Sequence, residues 1–140
     1  MRKPSLSSSI VYHIYNRAVS KRKIFFNDTD YRFFLNRFSI YIKNYSIKSI
    51  IYCVMPNHFH FLVYTEKKSI NISNFMKSIQ ISYARYFNRI NNHSGHVFQG
   101  AYKNKPINDP VAMLKVIDYI KNNPVRAGLV KNPQDWPYTG

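Results

Sequence analysis

The sequence predicts an α+β domain: a ferredoxin-like antiparallel sheet in the order β-α-β-β-α-β, with one helix added at the C-terminal end. Three observations carry that expectation. Short β-rich segments, alternating or apolar, are interleaved with longer segments whose apolar residues recur at helical spacing. Their order along the chain is strand, helix, strand, strand, helix, strand, helix. A Pro-Asn pair joins the second and third strands directly, which makes them an antiparallel hairpin and leaves the helices on either side of it as crossovers.

The first strand is "SIVYHIYNRAV" (9–19). "NDTDYRFFLNRFSIYIKNY" then starts a helix, with Asp28 as its cap and Asp30 adding negative charge to the first turn. Tyr31, Phe34, Leu35, Phe38, Ile42 and Tyr45 share its apolar face. "SIKSIIYCVM" (46–55) and "HFHFLVYT" are the hairpin strands on either side of Pro56 and Asn57. The second helix is "NISNFMKSIQISYARYFNRINN" (71–92), with Ile72, Phe75, Met76, Ile79, Tyr83, Tyr86, Phe87 and Ile90 on one face. Lys77, Arg85 and Arg89 gather on its other side. A polar loop, "NNHSGHVFQG", leads to a fourth strand at 101–107. The last helix is capped by Asp109, has Pro110 in its first turn, and is stopped by Pro124.

A chain of 140 residues is expected to form one domain, 1–140, able to bury a core without disulfides. Its single cysteine, Cys53, excludes an internal disulfide framework and fits a reducing compartment. The N-terminus makes a poor signal peptide, and no stretch approaches the roughly 20 apolar residues of a membrane span. A soluble, cytoplasmic protein with no membrane partner is therefore expected. Twenty-one Lys and Arg against six Asp and Glu give a formal charge of +15. Repulsion on that scale opposes compactness, so a polyanion is the natural partner. Twelve Tyr and ten Phe accompany the basic residues, a mixture suited to tracking phosphates and stacking unpaired bases. The cations run along the whole chain and form no polybasic tail, which favours nucleic acid over a membrane or an acidic protein.

The motif that asks for chemistry is "VMPNHFHFLVY" (54–64). In a strand, His58 and His60 share one face while Phe59, Phe61 and Val63 share the other. Two neighbouring imidazoles make half a site for a divalent cation, or a plain His pair on an exposed sheet face. In the last helix, Tyr119 and Asn123 are four residues apart and lie on one side, next to the stripe of Met113, Val116, Ile117 and Ile120. That side is expected near the sheet. Pro124 pushes Asn123 out of regular helix and frees its amide to ligate or to cap.

"MPNHFHFLVY" followed by "VIDYIKNNPVRAGLV" resembles the HUH single-strand DNA transposases, in particular the REP-associated tyrosine transposase branch. The likeness runs from "YHIYNRAV" through "SGHVFQGAYK" to "DWPY". It implies a catalytic domain that nicks and joins single-stranded DNA beside a hairpin, found with the bacterial nucleoid. It further implies that His58 and His60 bind Mg²⁺ or Mn²⁺, that the added helix carries Tyr119 as the nucleophile, and that Asn123 supplies the third ligand where many relatives have glutamine. Relatives occur as monomers and as homodimers that swap the tyrosine helix; the short "NDPV" lead-in favours a site within one chain.

A free phenol has a pKa near 10 and needs its oxyanion stabilised before it attacks at neutral pH. Metal-binding imidazoles must be neutral, so activity is expected to fall below a pH of about 6.5. Arg17, Lys77, Arg85, Arg89, Lys103, Lys105 and Arg126 are the candidate DNA contacts, with Arg126 nearest the tyrosine helix. His13, His93 and His96 are left outside the site, His13 as a satisfied side chain on the first strand. The rival reading is a non-catalytic nucleic-acid binder on the same fold, which would leave the His pair unexplained. A metal-free two-histidine phosphoesterase would need two His-x-Ser/Thr motifs, and neither "HFH" nor "HSG" is one.

Overall fold

In the computed structural model, residues 10–66 and 70–140 are described, apart from the side chain of Ile70. The strands are β1 (Val11–Arg17), β2 (Lys48–Met55), β3 (His58–Tyr64) and β4 (Lys103–Ile107); the helices are α1 (Asp28–Asn44), α2 (Ile70–Ile90), α3 (Pro110–Lys121) and the single turn α4 (Asn123–Arg126). The sheet order is β2-β3-β1-β4, with every neighbour antiparallel. This is the expected ferredoxin-like arrangement, with α3 as the added helix.

The period-two alternation of β1 and β3 divides the protein into two layers. Ile14, Phe59, Phe61 and Val63 face α1 and α2, where they join Phe34, Phe38, Phe75, Met76, Ile79 and Tyr83 in the main core. On the other face, Leu62, Cys53 and Met55 meet α3 through Ile120, with Met113, Val116 and Ile117 at the margin. The aromatic wealth is therefore largely core: Phe34, Phe59 and Phe61 are fully buried. Packing rings at this density is worth about 1.5–3 kcal/mol for each fully buried side chain.

Several boundaries differ from the sequence expectation. Ser9 lies outside the described residues, and β1 ends at Arg17, two residues short of Val19, because Ala18 turns away to bridge Phe98. The α1 cap is Asn27, not Asp28: the Asn27 side chain accepts from the Asp30 amide at 3.0 Å. Asp30 in turn accepts from the Phe26 amide and from the Tyr86 hydroxyl. Asp28 instead pairs with Arg32 and accepts from Tyr138. Ile90 ends α2 exposed at 54% rather than in the core. Asp109 caps α3 as expected, accepting from Val111 and Ala112. Pro124 does not end helical structure: α3 stops at Lys121, Asn122 breaks the axis, and Pro124 sits in the first turn of α4.

The segment after α4 crosses back to the free edge of β2. The Trp136 indole donates to the Val54 carbonyl at 2.9 Å. Val54 donates to Tyr138, and Tyr52 exchanges two backbone bonds with Gly140. The Tyr138 ring stacks on Tyr31 with centroids 3.8 Å apart.

Candidate active site

The two central strands present one polar patch on the α3 face of the sheet. Register brings it together: Tyr15 is opposite His60 and Arg17 opposite His58 across β1–β3, while Lys103 is opposite Tyr15 and Lys105 opposite His13 across β1–β4. Among the described residues, His58, His60, Tyr15, Arg17, Lys103 and Tyr119 line a cleft of about 440 Å³, a size suited to a small ligand or part of a larger one.

α3 lies across this patch. The ring of Tyr119 stands edge-on to His60, with centroids 5.6 Å apart and planes at 87°, and reaches His13 at 6.5 Å. It is 47% exposed, so its hydroxyl-bearing ring borders both solvent and the imidazoles. Within one chain, the phenol of the last helix thus reaches His60 and lines the same cleft as His58. Arg126, from the next turn, lays its guanidinium over the Tyr119 ring at 4.2 Å and donates to the Tyr119 carbonyl. Gly128, at φ 74°, lets the chain leave α4 directly behind it.

His58 and His60 point the same way, 5.2 Å apart between centroids. The His58 Nδ1 is 2.7 Å from the Asn57 side-chain oxygen. Asn123 is 8% exposed and lies beside the same imidazole. Among the described residues no three His, Cys, Asp or Glu side chains are placed to hold a metal. A third protein donor to a cation between His58 and His60 would then be an amide, hydroxyl or carbonyl oxygen, and Asn123 is an amide beside His58. Two neutral nitrogens and one oxygen suit Mg²⁺ or Mn²⁺ with positions left for phosphate and water.

Burial holds these imidazoles neutral. His60 is pushed down to about 3, first by desolvation, then by the charges of His58, His13 and Arg126. His58 is lowered by burial, with neighbouring Asn123 pulling the other way. His13 is pushed down to about 4 by burial and by Lys105 opposite it. Protons therefore compete for these nitrogens only in more acid solution than for a free imidazole. Cys53, beneath α3, is raised to about 11 by burial and is inert as a nucleophile.

The sequence-predicted cations divide between two faces. Arg17, Lys103, Lys105 and Arg126 surround the His–Tyr patch, Arg17 bonded to Gln99 at 3.0 Å and Lys105 over the Tyr15 ring at 5.7 Å. Lys77, Arg85 and Arg89 line a groove between α1 and α2, with Arg37 and Phe33, on the opposite side of the sheet. They do not share a surface with Tyr119. Two members of the patch were missed by sequence reasoning. His13 is satisfied, as expected, but its partner is His60 itself, at 3.0 Å. Tyr15 faces the same way two residues later. The signal available was the odd numbering that His13, Tyr15 and Arg17 share on β1. His93 and His96 lie away from the patch; His93 bonds Asn88 and Arg22.

Comparisons with known proteins agree with this architecture. The chain is 24% identical over 106 residues to a candidate REP-associated tyrosine transposase of Haemophilus influenzae, covering 69% of this chain. It spans 60% of that relative's length. Its fold is similar to that of a REP-associated tyrosine transposase solved bound to a REP hairpin, with a TM-score of 0.76, 18% identity, and coverage of 99% of this chain and 80% of the other. A crystal structure of a candidate transposase from Deinococcus radiodurans has the same fold at a TM-score of 0.60 and 15% identity, over 87% of this chain and 97% of that one. Residues 6–123 match the family described as "Transposase IS200 like". The chain belongs to the IS200-like transposase family.

Proposed function

We propose that this protein cleaves and rejoins single-stranded DNA beside a hairpin through a covalent 5′-phosphotyrosine link. The observation that carries the reading is the placement of Tyr119 against His60, in a cleft that His58 also lines, within a single chain. A solvent-facing phenol against two neutral imidazoles has no evident structural purpose, since the core is completed without it.

In this reading His58, His60 and Asn123 would hold Mg²⁺ or Mn²⁺, which would supply neutralisation of charge on the scissile phosphate. The Tyr119 oxygen attacks that phosphorus, its proton passing to solvent. An O–P bond to tyrosine forms as the bond to the 3′-oxygen breaks, and that oxygen takes a proton from solvent and leaves as a 3′-hydroxyl. The phosphodiester energy is retained, so a 3′-hydroxyl from another strand reverses the step and no nucleotide triphosphate is consumed. Arg126, above the Tyr119 ring, holds the phosphate near the attacking oxygen, and Arg17, Lys103 and Lys105 guide the single strand into the cleft. Lys77, Arg85 and Arg89, on the helical face, hold a separate stretch of the same DNA, such as the paired stem. Such a protein works at the bacterial nucleoid.

The test is incubation of the protein with an end-labelled DNA hairpin bearing single-stranded flanks, in Mn²⁺, followed by denaturing electrophoresis. A boiling-resistant protein–DNA adduct is expected from the wild type and none from Tyr119→Phe, which should still bind the hairpin. Cleavage by Tyr119→Phe would remove Tyr119 as the nucleophile. Binding without any adduct by the wild type would favour the non-catalytic alternative.

A further inference from the structure

Both imidazoles of the His-Phe-His motif are tethered through the same ring atom by groups outside the motif. Asn57, in the hairpin turn, donates its amide N–H to the Lys21 carbonyl at 3.1 Å. That carbonyl is aimed by a strained corner, Ser20 and Lys21 both being left-handed, at φ 57° and 55°. With its nitrogen so engaged, Asn57 turns its oxygen to His58 Nδ1, 2.7 Å away. An amide oxygen only accepts, so His58 Nδ1 carries the proton. Across the sheet, His60 Nδ1 is 3.0 Å from His13 Nε2, and the two rings are 6% and 8% exposed. His13 is the diagonal neighbour of His60, because Tyr15 is its direct partner.

A neutral imidazole has one N–H and one lone pair, so whatever holds Nδ1 as a donor leaves Nε2 as the ligand. We infer that Asn57 and His13 are positioning residues, which lock His58 and His60 as Nδ1–H tautomers with both Nε2 lone pairs turned to one divalent cation. His13 then accepts at Nε2 and keeps its own proton at Nδ1. Such outer partners fix ring orientation and strengthen the ligand nitrogen. The inference rests on the metal reading of His58 and His60; the His58 half stands also on its acceptor Asn57 alone, whereas either ring of the His13–His60 pair can donate and a cation at His60 Nε2 sets that direction. Ring packing is the competing explanation for His13; the N···N distance of a hydrogen bond, with Leu62 directly opposite instead, argues against it.

Two measurements on the full chain test this. In the metal-free wild type, ¹⁵N spectra of the imidazoles should show protonated Nδ1 and bare Nε2 for His58. Mn²⁺ titration followed by electron paramagnetic resonance should show affinity falling about 10–100-fold in His13→Ala and in Asn57→Ala. His13→Gln, whose amide oxygen can accept from His60, should recover most of that loss. Bare Nδ1 on His58 overturns the inference whatever the variants do. Wild-type Mn²⁺ affinity in folded His13→Ala, or His13→Gln as weak as His13→Ala, overturns the role of His13. A wild type that takes no Mn²⁺ removes the cation half together with the metal reading, while the spectra still decide the His58 tautomer.

Discussion

Mild acid is the most revealing perturbation of this fold, because its site buries bases. In the unfolded chain a histidine titrates near 6.5. His13 and His60 are pushed down to about 4 and about 3 by burial, so at pH 5 both remain neutral while folded. Between pH 6.5 and 5 the unfolded state therefore binds more protons than the native state, and stability must fall as pH falls. The stabilising neutral burial is complete above 6.5 and is lost progressively toward the folded values. Across that span each histidine costs about 2 kcal/mol, at ~1.36 kcal/mol per pH unit. The pair amounts to about 4 kcal/mol, and His58, lowered in the same direction, adds to it. A domain of this size has a net stability of about 5–15 kcal/mol, so the loss is a large fraction of the whole. Urea unfolding of metal-free protein at pH 7.5, 6 and 5 measures it directly. His13→Gln removes one titrating ring and should shrink the acid loss by about 2 kcal/mol. A wild-type loss under about 1 kcal/mol from pH 7 to 5 would refute the burial argument for these imidazoles.

Other perturbations separate the parts of the site. Asn123→Ala should weaken Mn²⁺ binding at least tenfold in calorimetry while leaving hairpin binding intact, since it removes a donor but no charge. Neutralising Arg17, Lys103 or Arg126 singly should lower the slope of log affinity against log salt by about 0.7 for each single-strand phosphate that side chain neutralises. The triple variant of Lys77, Arg85 and Arg89 to Gln should weaken hairpin binding more than binding of an unpaired strand, as judged by fluorescence anisotropy. Trp136→Phe leaves the Val54 carbonyl without its indole donor and should cost about 1–3 kcal/mol in urea unfolding.

Much of the fold was legible because it is written locally. "MPNH" carries its own turn, "DP" its own cap, and the alternation in "HFHFLVY" sorts Phe59 and Phe61 to the helices and the histidines to the other face. What stayed hidden depends on register. No local pattern says that His13 sits diagonal to His60, because that follows from how β1 slides along β3. The split of the cations between two faces was hidden for a related reason. The wheel of α2 shows that Lys77, Arg85 and Arg89 turn from the core, but not that the core lies between them and Tyr119. The choice of Asn27 over Asp28 as cap turned on a distant group: the Tyr138 hydroxyl, brought in by the segment after α4, engages Asp28.

That same segment bears on the site. α3 is joined to the sheet by a small cluster, Ile120 against Cys53, Met55 and Leu62, whereas the opposite face is a dense aromatic core. A helix held by one aliphatic cluster is positioned also by what grips the chain beyond it. Here Trp136 packs against both clusters and bonds to Val54, and residues 138–140 pair along β2, covering an edge that would otherwise be open. The chain is thus fastened to β4 before α3 and to β2 after α4. Tyr119 lies between those two moorings, over strands whose opposite faces cannot shift without disturbing Phe59 and Phe61. The short reach from His60 to Tyr119 is held by that two-ended attachment together with the Arg126 guanidinium stacked on the ring.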